Sequence, residues 1–181
     1  MQDAISINKC KLKITLEKSN MKFLNTLLAA FVLSFSINAM AVNDDDAIEF
    51  VEAITSGNLK IVKKYVESDA ANVNYKSFAW SPIQMAANKN QLEMVKYLVS
   101  KGGDLNYIHP LSHNTAFHLA VFNGHTDMVK LLAASGADIN IKLKAEVSIL
   151  RAVQDAGDTK MVELLTSLGV KNDGCQEERC F

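Results

Sequence analysis

Apolar residues recur at helical spacing through the middle of the chain. Phe117, Ala120 and Val121 fall at i, i+3 and i+4, and Met128, Val129, Leu131 and Leu132 make a second stripe; this predicts two amphipathic helices. The polar run Asn123-Gly124-His125-Thr126 between them is short enough to join antiparallel neighbours. Asp127 falls in the first turn of the second helix, where the peptide dipole favours an acid. Gly102 and Gly136 lie just beyond second helices, at the left-handed position that suits a residue without a Cβ. Asp104-Leu105-Asn106 and Asp138-Ile139-Asn140 then read as short extended pieces, each with one inward apolar residue.

This unit recurs. AITSGNLKIVKKYV from Ala53, AANKNQLEMVKYLV from Ala86, AVFNGHTDMVKLLA from Ala120 and VQDAGDTKMVELLT from Val153 start 33, 34 and 33 residues apart. Ile61, Met94, Met128 and Met161 occupy equivalent places. Repeats of this length cannot bury an apolar face alone and must stack to share one core.

Thr115-Ala116-Phe117-His118-Leu119-Ala120 and Ser81-Pro82-Ile83-Gln84-Met85-Ala86 resemble the T-P-L-H-x-A motif of ankyrin repeats, and Ser135-Gly136-Ala137-Asp138-Ile139-Asn140 resembles their G-A-D-V-N ending. The W-x2-L-G-x2-Y start of tetratricopeptide repeats is missing. The resemblance covers residues 45–173. It implies an all-α repeat solenoid of about four ankyrin repeats with β-hairpin-like loops, occupying residues 42–173, with repeats near 45–77, 78–111, 112–144 and 145–173. The first repeat has Ile48-Glu49-Phe50-Val51-Glu52-Ala53 in place of the motif, and the fourth has Ser148-Ile149-Leu150-Arg151-Ala152-Val153. Such departures suit end caps. The first interrepeat hairpin, Asn74 to Ser81, is one residue short, and the second, Asn106 to Thr115, one long. The usual Asp and Gly are missing from all three, so their tips should depart from the family geometry.

Residues 21–41 read as an export signal. Lys22 precedes an apolar run from Phe23 to Ile37, and Ala39-Met40-Ala41 fits a cleavage site. An uncleaved anchor is the alternative, although the run falls short of the roughly 20 apolar residues a span needs. Residues 1–20 read as an upstream extension or leader. Cleavage after Ala41 places the protein in the periplasm of a two-membrane bacterium. It also shifts a nearly neutral chain, 19 Lys and Arg against 20 Asp and Glu, towards an acidic one. Neither balance encodes a general attraction to nucleic acid or to an anionic membrane. Cys175 and Cys180, in the tail 174–181, would then be an even pair in an oxidising compartment and a disulfide candidate. Free thiols remain the alternative.

Little in the chain suggests chemistry. No G-x-S-x-G, phosphate-cradling glycine loop or H-E-x-x-H occurs. His109 and His113 share one hairpin tip and lack a third ligand in sequence, so neither catalytic residues nor a cofactor, metal or small-molecule substrate is expected. In the family, His118 typically bonds the backbone of a neighbouring hairpin. The family also uses its hairpins as fingers and its first helices as a concave groove for partners. That implies a protein-binding surface built from Tyr75, Phe78 and Trp80 on the first finger and Tyr107, His109 and Leu111 on the second. Lys142 on the third finger joins them, with Thr55, Ser56, Asn88, Lys89, Phe122 and Asn123 along the groove. Aromatic residues at loop positions are out of place unless they grip a partner or fold back onto the core. An immunity protein against a secreted toxin or an accessory partner of an envelope enzyme fits this pattern. A secreted effector acting on a host protein is an alternative, and a metal-dependent enzyme a more distant one.

Overall fold

The computed structural model describes residues 44–173. They form four helical hairpins: α1 (Asp44–Ser56) with α2 (Leu59–Ser68), α3 (Pro82–Asn88) with α4 (Leu92–Ser100), α5 (Ala116–Phe122) with α6 (Thr126–Ala134), and α7 (Ile149–Asp155) with α8 (Thr159–Ser167). First helices pack on first helices, α1 on α3 and α3 on α5, and α4 packs on α6. The export signal at 21–41 and the cysteines at 175 and 180 lie outside the described residues. No described helix is long and apolar enough to cross a membrane.

Local chemistry sets where the first helices begin. Ser81 Oγ accepts the Gln84 N–H at 3.2 Å, while Gln84 Oε1 accepts the Ser81 N–H at 3.1 Å. Thr115 and His118 exchange the same pair of bonds at 3.3 and 3.2 Å. Such caps are worth about 1 kcal/mol each. Pro82 at the first helical position loses no hydrogen bond there. Each hairpin turns on a left-handed residue. Gly57, Gly124 and Gly157 supply it in three hairpins, and in the second Asn90 does so at φ 55°, a conformation asparagine tolerates better than most residues.

Met94, Met128 and Met161 are all fully buried at equivalent sites, as the repeat requires. The equivalent Ile61 is only half-buried, as the atypical first repeat allows. In that repeat the phenol of Tyr65 donates to Asp46 and Glu49 on α1. Those bonds, together with burial, push its pKa well above the ordinary value. Phe50 packs edge-on against both Tyr65 and Tyr75, with ring centroids 5.6 and 6.4 Å apart.

An asparagine ladder registers one repeat on the next. Asn74, Asn106 and Asn140 each accept, at 2.8 Å, a backbone N–H of the following repeat, from Asp104, Asp138 and Lys171. Asp104 and Asp138 in turn accept the N–H of Asn106 and Asn140 at 2.9 Å. The recurrent Asp-x-Asn spacing is therefore a hydrogen-bonding device that repeats with the stack.

Candidate functional site

The three fingers differ most at their tips, and each solves the missing glycine differently. In the first, Ser77 and Trp80 exchange backbone hydrogen bonds at 3.1 and 2.9 Å, leaving a two-residue turn of Phe78 (φ 49°) and Ala79 (φ 66°). Turns with two left-handed residues ordinarily carry Asn-Gly, because a Cβ is strained there. The shortened hairpin thus holds a phenylalanine in a conformation it resists, and that side chain is 96% exposed. Strain of this kind costs about 1 kcal/mol or more per residue and clusters at functional sites.

The second finger has the extra residue, and it closes an inner turn in which the His113 N–H donates to the His109 carbonyl at 2.8 Å. The His109 ring is buried beneath this turn, where its Nδ1 accepts the N–H groups of Leu111 and Ser112 at 3.3 and 3.2 Å. Expected on the partner-facing surface, His109 is instead a buried support for its own loop. Its ring also lies 4.9 Å from that of Trp80, which is half-buried and packs against the core. Trp80 therefore folds back, whereas Phe78 does not. Leu111 remains 78% exposed at the second tip. Tyr107 is half-buried beneath the Lys76 ammonium, 4.8 Å above its ring. On the third finger Lys142 is exposed and lies 3.6 Å from Glu146, beyond a turn with Ala145 and Glu146 at φ 69° and 62°.

Two of the fingers are tethered from below. Gln84, fully buried, donates from Nε2 to the carbonyls of Tyr107 at 3.2 Å and Asn114 at 2.8 Å, gripping both sides of the second finger. His118 takes the same role in the following repeat. Its Nδ1 accepts from Thr115, so the proton sits on Nε2, which donates to the Ile141 carbonyl at 2.9 Å. Burial holds this imidazole below its ordinary pKa, against the opposing pull of the Ile141 carbonyl. Below pH 6.5, the ordinary histidine value, the unfolded chain takes up a proton that the folded chain refuses. Stability should therefore fall as pH drops through this range. In His118→Gln, which copies Gln84, that component of the acid limb should be absent from urea denaturation series run between pH 7.5 and 5.5.

The first finger has no such tether. Val51 stands where Gln84 and His118 stand in the later repeats, and it has nothing to donate. A hollow opens between α1 and this finger instead. Its larger part, about 580 Å³, runs from Ile48 and Val51 to Tyr75 and Phe78. The smaller, about 320 Å³, continues past Phe78 to Trp80, Met85, Asn88 and Lys89. Thr55 borders both, and Ser56 is exposed near the end of α1. Further along the groove Asn123 donates to Asn88 at 2.9 Å, and Phe122 is 50% exposed. The structure thus brings Tyr75, Phe78, Trp80 and Lys89 around one hollow. Leu111 and Lys142 stand on neighbouring fingers. Sequence reasoning missed Ile48 and Met85 as lining residues. The signal was the loss of the motif position at Val51. Among the described residues no group of three His, Cys, Asp or Glu is placed to hold a metal ion.

These hairpins, capped helices and tethered fingers define a stacked helical repeat, and residues 50–142, just over half of the chain, match the family described as ankyrin repeats (three copies). The chain belongs to the ankyrin repeat family. It is 30% identical over 66% of its length to the rat ankyrin repeat and SAM domain-containing protein 6, of which it spans only 14%. It is also 25% identical over 71% of its length to an ankyrin repeat protein of Borreliella burgdorferi, spanning 62% of that protein. A Rickettsia felis ankyrin repeat protein is 27% identical over 68% of the chain and is spanned to 39%. Ankyrin repeats are in general protein-interaction modules rather than catalysts.

Proposed function

We propose that this protein is an exported, non-catalytic binding module that grips a protein partner with its first two finger tips and the hollow behind the first. The carrying observation is Phe78, held almost fully exposed and outside the core in a left-handed turn that costs free energy. Export rests on the signal-like segment 21–41. With cleavage after Ala41 the protein works in the periplasm, where a role as immunity protein to a secreted toxin or as accessory partner of an envelope enzyme suits finger tips presented on a stacked helical scaffold. The first of these roles calls for a toxin gene beside its own.

The two tips separate binding from stability. Phe78→Ala and Leu111→Ala remove exposed side chains and should leave the melting temperature within about 2 °C of wild type, since surface changes cost little. Together they should abolish capture of the partner from envelope extract. Trp80→Ala makes a poor probe because that ring packs on His109 and the core. Wild-type capture by the double variant would defeat the assignment.

A further inference from the structure

The hollow behind the first finger carries information about the partner's chemistry, on the footing of the binding role just proposed. The fingers and hollow carry four lysines (76, 89, 142 and 144) against two glutamates (52 and 146), whereas the rest of residues 44–173 carries nine basic and fourteen acidic residues. Cationic side chains are thus gathered on one edge of an otherwise acidic protein. Lys142 is engaged with Glu146. Neither Lys76 nor Lys89 is in an ion pair among the described residues. These two border different regions of the hollow, Lys76 the larger and Lys89 the smaller. The smaller region contains no acid, and its remaining lining is chiefly Val51, Phe78, Trp80 and Met85. Lys76 donates to the Asn74 carbonyl at 3.3 Å and lies over the Tyr107 ring, neither of which neutralises its charge, and an apolar recess bordered by cations outside any ion pair favours an apolar group flanked by negative charge.

We infer that the hollow receives a segment of a partner protein in which a large apolar side chain, aromatic or branched, is flanked by Asp or Glu. The apolar side chain enters against Phe78 and Met85, and the flanking carboxylates meet Lys76 and Lys89. Because both cations are solvent-exposed, the electrostatic share of the affinity is screened by salt.

The test uses the full chain, expressed with its leader and purified as the host processes it. Three synthetic twelve-residue peptides are titrated against the 15N-labelled protein: one phenylalanine among acids, one alanine among the same acids, and one phenylalanine among lysines. The acidic phenylalanine peptide should shift the amides of Val51, Thr55, Phe78 and Lys89. It should bind at least tenfold tighter than either control, and weaken several-fold between 50 and 500 mM NaCl. K76E/K89E should abolish the preference for acids with helical circular dichroism unchanged, whereas K60E/K63E on α2 should not. Equal binding of the lysine peptide, or titration of the hollow by dodecanoate but by no peptide, would overturn the inference. A random twelve-residue phage library panned on the same protein separates the two levels of failure. Enriched binders that lack acids sink the acidic partner and leave the binding role standing, and no enrichment at the hollow sinks both.

Discussion

Truncating Gln84 to alanine should cost the fold about 3 kcal/mol, measured as a lowered urea midpoint. Two hydrogen bonds to the second finger disappear, at about 1 kcal/mol each. The Ser81 N–H loses its capping acceptor, and a cavity replaces a fully buried side chain. The carbonyls of Tyr107 and Asn114 lose their donor, which adds to the cost wherever water cannot reach them. Amide exchange across residues 107–114 should accelerate at the same time, because that finger loses its internal anchor. Gln84→His is the discriminating control. His118 shows that an imidazole fits the equivalent niche in the next repeat, with one ring nitrogen accepting from the cap and the other donating to the finger. That variant should recover about half of the lost stability, since it restores one finger bond where the amide made two. If Gln84→Ala unfolds no more readily than wild type, the tether has no energetic meaning.

Replacing Phe78 by asparagine and Ala79 by glycine should have the opposite signs on stability and binding. Asn-Gly is the pair that a two-residue turn with left-handed backbone at both positions prefers. Each replacement relieves about 1 kcal/mol of strain, so the double variant should melt higher by roughly 5 °C or more on the scale of a domain this size. On the proposed binding role, in which the exposed Phe78 ring meets the partner, the same variant should lose partner capture by at least two orders of magnitude, as truncation of a central aromatic does. A rise in stability accompanied by loss of binding is the signature of a residue kept for its surface. A variant that is stabilised and still binds would move the contact elsewhere, to Leu111 or the groove.

Architecture is legible in the sequence because a stack of repeats writes its core in periodic form. Met94, Met128 and Met161 can be placed by counting, as can the left-handed glycines and His118. The finger tips cannot. Their unusual lengths are visible in the sequence, but a one-residue change in a loop decides which side chains face outward, and that depends on contacts made across the chain. Trp80 and His109 illustrate it. Both stand at loop positions that suit partner-facing groups, yet the longer second finger swallows the histidine and offers it to the tryptophan as a packing surface. Phe78, from the same aromatic run, has no such neighbour. The hollow is hidden for a different reason. It arises from what Val51 lacks, and a missing hydrogen-bonding group shows in the sequence only once the partners of Gln84 and His118 are known.

The tethers follow a gradient with a mechanical meaning. Two fingers are bolted from beneath by a polar side chain, while the first hydrogen-bonds to the next repeat at its root, from Asn74 to the Gly102 carbonyl at 3.2 Å and from the Asp104 N–H to Asn74. Its tip should therefore be the softest described loop, able to swing outward and widen the cleft without melting a helix. A visiting chain that settles there would supply the missing bolt itself. Capture would then register in the protein as quietened motion at one end of the stack.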